Sequence, residues 1–200
     1  MNRERGRPRT FDAELALDRA ADVFWKHGFQ NASMQELTEA MGLSKPSLYA
    51  AYGDKEALYL KALERYVAGL IARHAGSLNE EKDGRRALEG FLRSLAAMMA
   101  DPALPGGCFI INGTADSGGS TMPEAIEQAL RAALQGTEAM VLARLLLAKG
   151  DGHLPPGANA GDMAVMFSSF IAGMGVLAKS GATEAKLNSA VSAMMTAWPG

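Results

Sequence analysis

Apolar residues recur along this chain with helical spacing, and the breaks between periodic stretches fall at glycine and proline. Leu17, Ala20, Ala21 and Phe24 make one face of a first helix running roughly from Asp12 to His27. Met34, Leu37 and Met41 recur at i, i+3 and i+7 behind Ser33, whose hydroxyl suits an N-cap with Glu36 completing a capping box. Gly42 stops that helix and leaves only Gly42-Leu43 as the turn. Ser44 is a second N-cap, Pro46 fits a first turn, and Leu48 with Tyr52 supplies one buried side of a short third helix. Behind Asp54 a longer helix keeps Tyr59, Ala62, Leu63, Tyr66 and Leu70 in register. Helical stretches are predicted near 54–76, 85–100, 123–149, 160–180 and 183–197, with a short one around Cys108 to Ala115. Their breakers are Asp101-Pro102, Ser117-Gly118-Gly119 and the run from Gly150 to Gly161. The reading is an all-α chain of about nine helices with no internal repeat, divided into segments 1–53 and 54–200.

Two short helices joined by a glycine turn describe a helix-turn-helix, which presents its second helix to a major groove. Lys45, Ser47, Tyr49 and Ala51 lie away from the Leu48/Tyr52 side and are free to meet an outside partner. Ahead of the motif, Arg3, Arg5, Arg7 and Arg9 alternate with Gly6 and Pro8 among them, a composition that resists helix and suits a cationic arm for phosphates or a minor groove. Lys55 stands beside the Asp54 cap, where a helix N-terminus and an ammonium together can meet a phosphate. Helical pairs with glycine turns also occur in all-α proteins that never touch DNA, and spacing alone leaves both readings open.

The residues that follow settle on a family. The chain reads Phe24-Trp25-Lys26-His27-Gly28-Phe29, then the helix-turn-helix, then Leu48-Tyr49-Ala50-Ala51-Tyr52-Gly53-Asp54-Lys55-Glu56-Ala57-Leu58. Across 10–66 this resembles the TetR family of bacterial transcriptional regulators. The resemblance implies an N-terminal three-helix DNA-binding domain joined to a C-terminal helical bundle for ligand binding and dimerisation. It carries DNA contacts to Gln35, Lys45, Pro46, Ser47, Tyr49 and Lys55; Ser33 and the arm residues Arg5, Arg7 and Arg9 complete the candidate DNA-binding set. Ala51 stands where some relatives have a larger polar residue, so it offers only an apolar contact, such as to a thymine methyl. A bacterial cytoplasmic repressor is implied, acting as a homodimer on a palindromic double-stranded operator and released by a small effector. An activator would use the same reading head.

Composition agrees once charge is placed by position. The net charge of −2 looks wrong for a DNA binder, but the first ten residues hold four arginines against one glutamate. At 48% hydrophobic and 21% charged, the 200 residues are globular. A single cysteine, Cys108, excludes an intrachain disulfide and suits a reducing compartment. No secretory leader is read at the N-terminus, and no apolar run of membrane-spanning length escapes glycine, polar or charged interruption, so no membrane partner is expected.

In the second half, eighteen of the 22 glycines follow residue 56 and nine of the twelve methionines follow residue 97. The last two long helices are expected to pair with their copies, Ala164, Ser168, Ala172, Gly175 and Ala190 permitting close approach. An effector pocket is expected among Phe91, Met98, Met99, Cys108, Phe109, Asn112, Met140, Phe167, Phe170 and Met174, adaptable apolar walls for an apolar or weakly polar ligand; the same residues suit plain core packing. Cys108 opens a short helix, where the dipole favours thiolate and electrophile or oxidant sensing; a small buried packing residue is the alternative. The placement also resembles that of a TetR subgroup with an electrophile-responsive cysteine.

Catalysis finds no support. His27, His74 and His153 are scattered, and H-E-x-x-H, G-x-S-x-G, Walker and paired-cysteine motifs are all missing, so no metal or cofactor is expected. Gly173-Met174-Gly175-Val176-Leu177-Ala178 matches a dinucleotide fingerprint but lies inside a helical segment with no strand before it.

Overall fold

The computed structural model describes residues 12–116 and 121–199, so Arg5, Arg7, Arg9 and the Ser117-Gly118-Gly119 break lie outside the described residues. Nine α-helices are present among them: α1 Ala13–Asn31, α2 Met34–Met41, α3 Lys45–Tyr52, α4 Lys55–Glu80, α5 Gly84–Met99, α6 Phe109–Asp116, α7 Glu124–Gly150, α8 Ala160–Lys179 and α9 Glu184–Met194. A single 3-10 turn, Met195–Ala197, follows. Side-chain oxygens of Asp12, Ser33, Ser44, Asp54, Asp83, Asn159 and Thr183 accept backbone N–H bonds at the starts of α1 to α5, α8 and α9. Most boundaries read from capping residues therefore coincide with the structure.

Two ends move. The first helix runs beyond His27: Gly28 takes a left-handed φ of 74° and breaks it, and a further turn carries Phe29 into the core. The fourth reaches Glu80 because its C-terminal end is held from outside. Arg144 of α7, only 5% exposed, donates from Nη2 to the carbonyls of Glu81 and Lys82 at 3.0 and 2.9 Å. A buried cation there satisfies the carbonyls of the two residues that follow the helix and opposes the negative end of its dipole.

α1 packs on α2, α4 and α6, and α3 closes the small N-terminal core between α2 and α4. α4 is the strut: it touches the N-terminal helices at one end and α5, α6 and α7 along the rest. α7 and α8 form the most extensive helix pair, and α9 lies on α5. By length and composition α8 is apolar enough to cross a bilayer, against the expectation that its glycines and serines would prevent it. Its Met163, Ala164, Phe167, Ile171 and Met174 enter the protein core, yet only 39% of its most apolar stretch is buried within the chain.

The small residues expected to meet a partner copy are split by this packing. Ala164 is buried in the chain's own core, and a Cβ on Gly175 would sit 2.6 Å from Ile111 Cδ1, so both face inward. Ala190 belongs to α9, which packs on α5. Ser168 and Ala172 lie at the edge of a cavity. The outward face of α8 is instead Val165, Ser169 and Val176.

Arg144→Ala is expected to lower stability by about 3 kcal/mol, the scale of two hydrogen bonds from one charged donor. A urea midpoint that moves by less than the equivalent of about 1 kcal/mol would show that the end of α4 holds without it.

Candidate DNA-reading surface and interior cavity

The helix-turn-helix is built from its caps. Ser33 Oγ accepts the Glu36 N–H at 3.1 Å while Glu36 Oε2 accepts the Ser33 N–H at 2.9 Å. Gly42 then takes φ 66°, and its N–H and that of Leu43 close the helix on Glu39 and Thr38 carbonyls. Ser44 Oγ accepts the Ser47 N–H at 3.3 Å and lies 2.8 Å from Ser47 Oγ. Leu37 and Leu48 are fully buried and Tyr52 nearly so. One face of α3 is thereby committed inward, and Lys45, Pro46, Ser47, Tyr49, Ala50 and Ala51 are exposed, Tyr49 at 43%. Gln35 is exposed on α2 and donates to Glu39 Oε1 at 2.9 Å.

Lys55 is placed less freely than an end-of-helix lysine. Its Nζ donates to the Gln30 carbonyl at 3.2 Å and stands 4.8 Å from the centre of the Phe29 ring. Burial lowers its pKa from the ordinary lysine value, with the charge of Glu36 opposing. Ammonium has three donors, so the Gln30 bond leaves others for a phosphate.

Several contacts fix this head to the rest of the chain, and sequence reading had missed them. Arg65 of α4 donates to both Asp18 carboxylate oxygens at 2.7 and 2.9 Å and lies 3.2 Å from Glu14. Within the head itself, Tyr52 Oη donates to the Ala13 carbonyl at 3.1 Å and ties α3 to α1. Trp25 Nε1 donates to the Gly106 carbonyl at 2.9 Å, and Gln30 reaches the Thr121 carbonyl at 2.6 Å. Rings continue the connection: Trp25 meets Tyr66 edge-on, Tyr66 and Tyr59 flank Phe109, and Tyr59 meets Phe24 and Phe29, with centroids 4.9 to 5.6 Å apart. Aromatic residues on the apolar faces of helices signal burial, but not that three helices meet through them.

A cavity of about 380 Å³ lies between α4, α5, α6, α7 and α8. Phe91, Met99 and Cys108 line it as expected, joined by Leu70, Leu95, Ile110, Ile111, Leu134 and Ile171. The other expected residues are elsewhere. Phe109 points to the ring cluster, and Asn112 donates to the Gly106 carbonyl at 3.2 Å, bracing the loop before α6. Met98 borders a groove on the far side of Tyr66 with Trp25 and Arg73. Phe167 is fully buried beside Trp198, Met174 is core, and Met140 and Phe170 pack against that core. Helical phase explains these corrections: neighbours in sequence leave a helix about 100° apart, so Met98 and Met99 face different spaces.

Missed residues supply the cavity's polarity. Arg131, Gln135 and Glu138 come from α7, at the i, i+4, i+7 spacing of one stripe, with Thr137 beside them, and Ser168 and Ser169 come from α8. Ser168 Oγ is buried without a hydrogen-bond partner among the described residues. The histidines serve other ends: His74 pairs with Ser94 Oγ at 2.6 Å, and His153 accepts the Gly84 N–H.

Cys108 immediately precedes α6 and its carbonyl accepts the Asn112 N–H at 2.8 Å, so the helix N-terminus is where the sequence put it. The expected low thiol pKa is reversed. Burial pushes the thiol up, outweighing the Tyr66 hydroxyl 3.4 Å away and the N–H groups of Ile111 and Ile110 that favour thiolate. Tyr66 is itself raised, first by burial and then by Cys108. A raised pKa leaves less thiolate at neutral pH, so alkylation of Cys108 by iodoacetamide is expected to accelerate through pH 9 without levelling. A rate that levels off near pH 7 would restore the activated thiol.

Comparison with known proteins follows the same division. Residues 16–62 match the family described as bacterial regulatory proteins, tetR family, and residues 84–194 match the tetracyclin repressor-like C-terminal domain. The HTH-type transcriptional repressor ComR of Escherichia coli K12 is 32% identical over 204 aligned positions, covering 100% of this chain and 94% of ComR. BdcR, an HTH-type transcriptional repressor from the same organism, is 32% identical over 113 positions, 56% of this chain and 57% of BdcR. A cysteine mutant of the TetR family regulator CifR, solved with 26-base-pair double-strand operator DNA, superposes with a TM-score of 0.90 at 33% identity, covering 96% of this chain and 100% of that one. The chain belongs to the TetR family and is a DNA-binding transcriptional regulator, not an enzyme.

Proposed function

We propose that this protein is a cytoplasmic repressor that binds a palindromic operator as a homodimer and leaves it when a small, mainly apolar effector occupies the cavity between α5 and α8. The observation that carries the reading is the exposed stripe Lys45, Pro46, Ser47 and Tyr49 on a helix whose other side is locked by Leu48 and Tyr52, in a chain related over its whole length to a repressor. Residues 1–53 form the reading unit and residues 54–200 the sensing and dimerising unit. Tyr49, Pro46 and Ser47 meet base edges, and Lys45 and Lys55 meet phosphate, with Ser33 and Gln35 at the flanking backbone and Arg5, Arg7 and Arg9 reaching along the groove. One recognition helix reads too few bases to be selective, and a pair related by two-fold symmetry reads both half-sites.

The ring cluster supports a route for release. Ile110 and Ile111 of α6 line the cavity, while the adjoining Phe109 stands between Tyr59 and Tyr66 of α4. An effector that displaces α6 therefore displaces α4, and Arg65 with Asp18 passes the movement to α1 and the reading head. Linkage then requires effector and operator each to weaken the other's binding by one common factor. Cys108 enters this scheme as part of the cavity wall, so an electrophile acts on it only after fitting the cavity.

Against an operator recovered by selecting bound genomic fragments with the purified protein, Lys45→Ala is expected to weaken binding and to lower the slope of log affinity against log salt by about one, as loss of one phosphate contact requires. Tyr49→Ala is expected to weaken binding about ten-fold with that slope unchanged, a base-edge contact of about 1.4 kcal/mol. Identical salt slopes for wild type and Lys45→Ala would remove the phosphate assignment. Sequence-indifferent binding by the wild-type protein at physiological salt would remove the operator reading itself.

A further inference from the structure

We propose, resting on the reading of the interior cavity as the effector site, that Ser168 is the residue by which this cavity selects its effector. The ligand class it selects is a compact, uncharged molecule whose hydrocarbon body carries one hydrogen-bond-accepting oxygen, such as a ketone.

Ser168 belongs to the inward side of α8. Ala164, Ser168, Ile171 and Gly175 follow one another at four-, three- and four-residue steps, and the other three are buried. A Cβ on Gly175 would come within 2.6 Å of Ile111 Cδ1, so this stripe is pressed onto α6. Ser168 lines the cavity from that stripe, and its Oγ is itself buried with no hydrogen-bond partner among the described residues.

A hydroxyl inside a helix usually bonds to its own backbone. Thr114, Thr137 and Ser192 do so here, donating to the carbonyls of Ile110, Ala133 and Asn188, four residues back, at 2.8, 3.1 and 3.1 Å. Ser168 makes no such bond to the Ala164 carbonyl. A desolvated hydroxyl left unpaired costs free energy, and a ligand oxygen that accepts its proton recovers that cost.

The other polar groups of the wall are already served. Thr137 is satisfied on α7, Ser169, Arg131 and Gln135 are exposed to water, and the Cys108 sulfur lies 3.4 Å from the Tyr66 hydroxyl that donates to it. The remaining buried lining, Phe91, Leu95, Met99, Ile110 and Ile171 among it, is apolar. A charged group placed against these side chains loses its water and meets no opposite charge, whereas a neutral oxygen needs one donor and finds it in Ser168. The volume of about 380 Å³ lies in the range that holds a small organic molecule.

The test uses three probes built on the same two rings: benzophenone, diphenylmethane, in which CH2 replaces the carbonyl, and diphenylacetate, which is charged. Dissociation constants are measured by equilibrium dialysis for wild type and Ser168→Ala. The alanine variant is expected to bind benzophenone about ten-fold more weakly and diphenylmethane unchanged, the scale of one hydrogen bond in a dry site. Equal effects on the two probes, tighter binding of diphenylacetate than of benzophenone, or no binding of benzophenone to wild type each overturn the proposal. The free alanine variant is expected to unfold in urea at or above the wild-type midpoint, because it loses no bond; a lower midpoint shows that the hydroxyl serves the fold and overturns the proposal. Weaker self-association of Ser168→Ala by sedimentation, with benzophenone affinity unchanged, assigns the hydroxyl to contact between copies and also overturns it. Operator binding separates the two readings. Benzophenone that binds through Ser168 without releasing the operator supports the selection and removes the release mechanism, while release by all three probes alike in both proteins does the reverse. For an alanine variant that does not fold, Ser168→Cys, which keeps the volume and weakens the donor, carries the same comparison.

Discussion

The position of Phe109 between Tyr59 and Tyr66 is the contact on which the other parts of the molecule depend. Phe109 opens α6, whose next two residues line the cavity; both tyrosines belong to α4, and Phe24, Trp25 and Phe29 of α1 complete the ring cluster. Close-packed rings transmit displacement because no free volume is available to absorb it. A cavity with no contact to α3 is in this way joined through packed rings to α1 of the N-terminal domain.

The same junction explains why the thiol behaves contrary to its local setting. A helix N-terminus and two backbone N–H groups favour a thiolate at Cys108. Packing of Tyr66, Phe91 and Met99 around it removes water, and the loss of hydration outweighs the local donors. Chemistry at this sulfur is governed by what the cavity admits. Lys55 follows the same rule, since contact with Phe29 and Gln30 removes part of its water and lowers its pKa.

Polarity differs between the two exposed helix faces. The exposed face of α3 carries groups that donate hydrogen bonds or stack, whereas the outer face of α7 and α8 carries alanine, glycine, valine and leucine. Charged side chains anchor the strut, through Arg65 on Asp18 and Arg144 beyond the end of α4, and among the described residues the only charged ones lining the interior cavity are Arg131 and Glu138.

Local physics was legible in the chain. Ser33, Ser44 and Asp54 mark helix starts, Gly42 marks a stop, and the phase of Leu37, Leu48 and Tyr52 says which side of the reading pair is buried. These are interactions between residues a few positions apart, so spacing alone determines them, and the family resemblance rests on the same short-range pattern. The cavity was only partly legible: Phe91, Met99 and Cys108 were found, while Met98, Phe109, Asn112, Met140, Phe167, Phe170 and Met174 face other spaces. Arg131, Gln135 and Ser168 gave no sign of a cavity, because a polar stripe on a helix looks the same beside water as beside a ligand. Capping, periodicity, the helix-turn-helix and the all-α class were thus set by the sequence itself. Which apolar residue lines a hollow and which fills it, and whether Cys108 is charged or neutral, were decided only by tertiary packing, since both depend on neighbours brought together from distant parts of the chain.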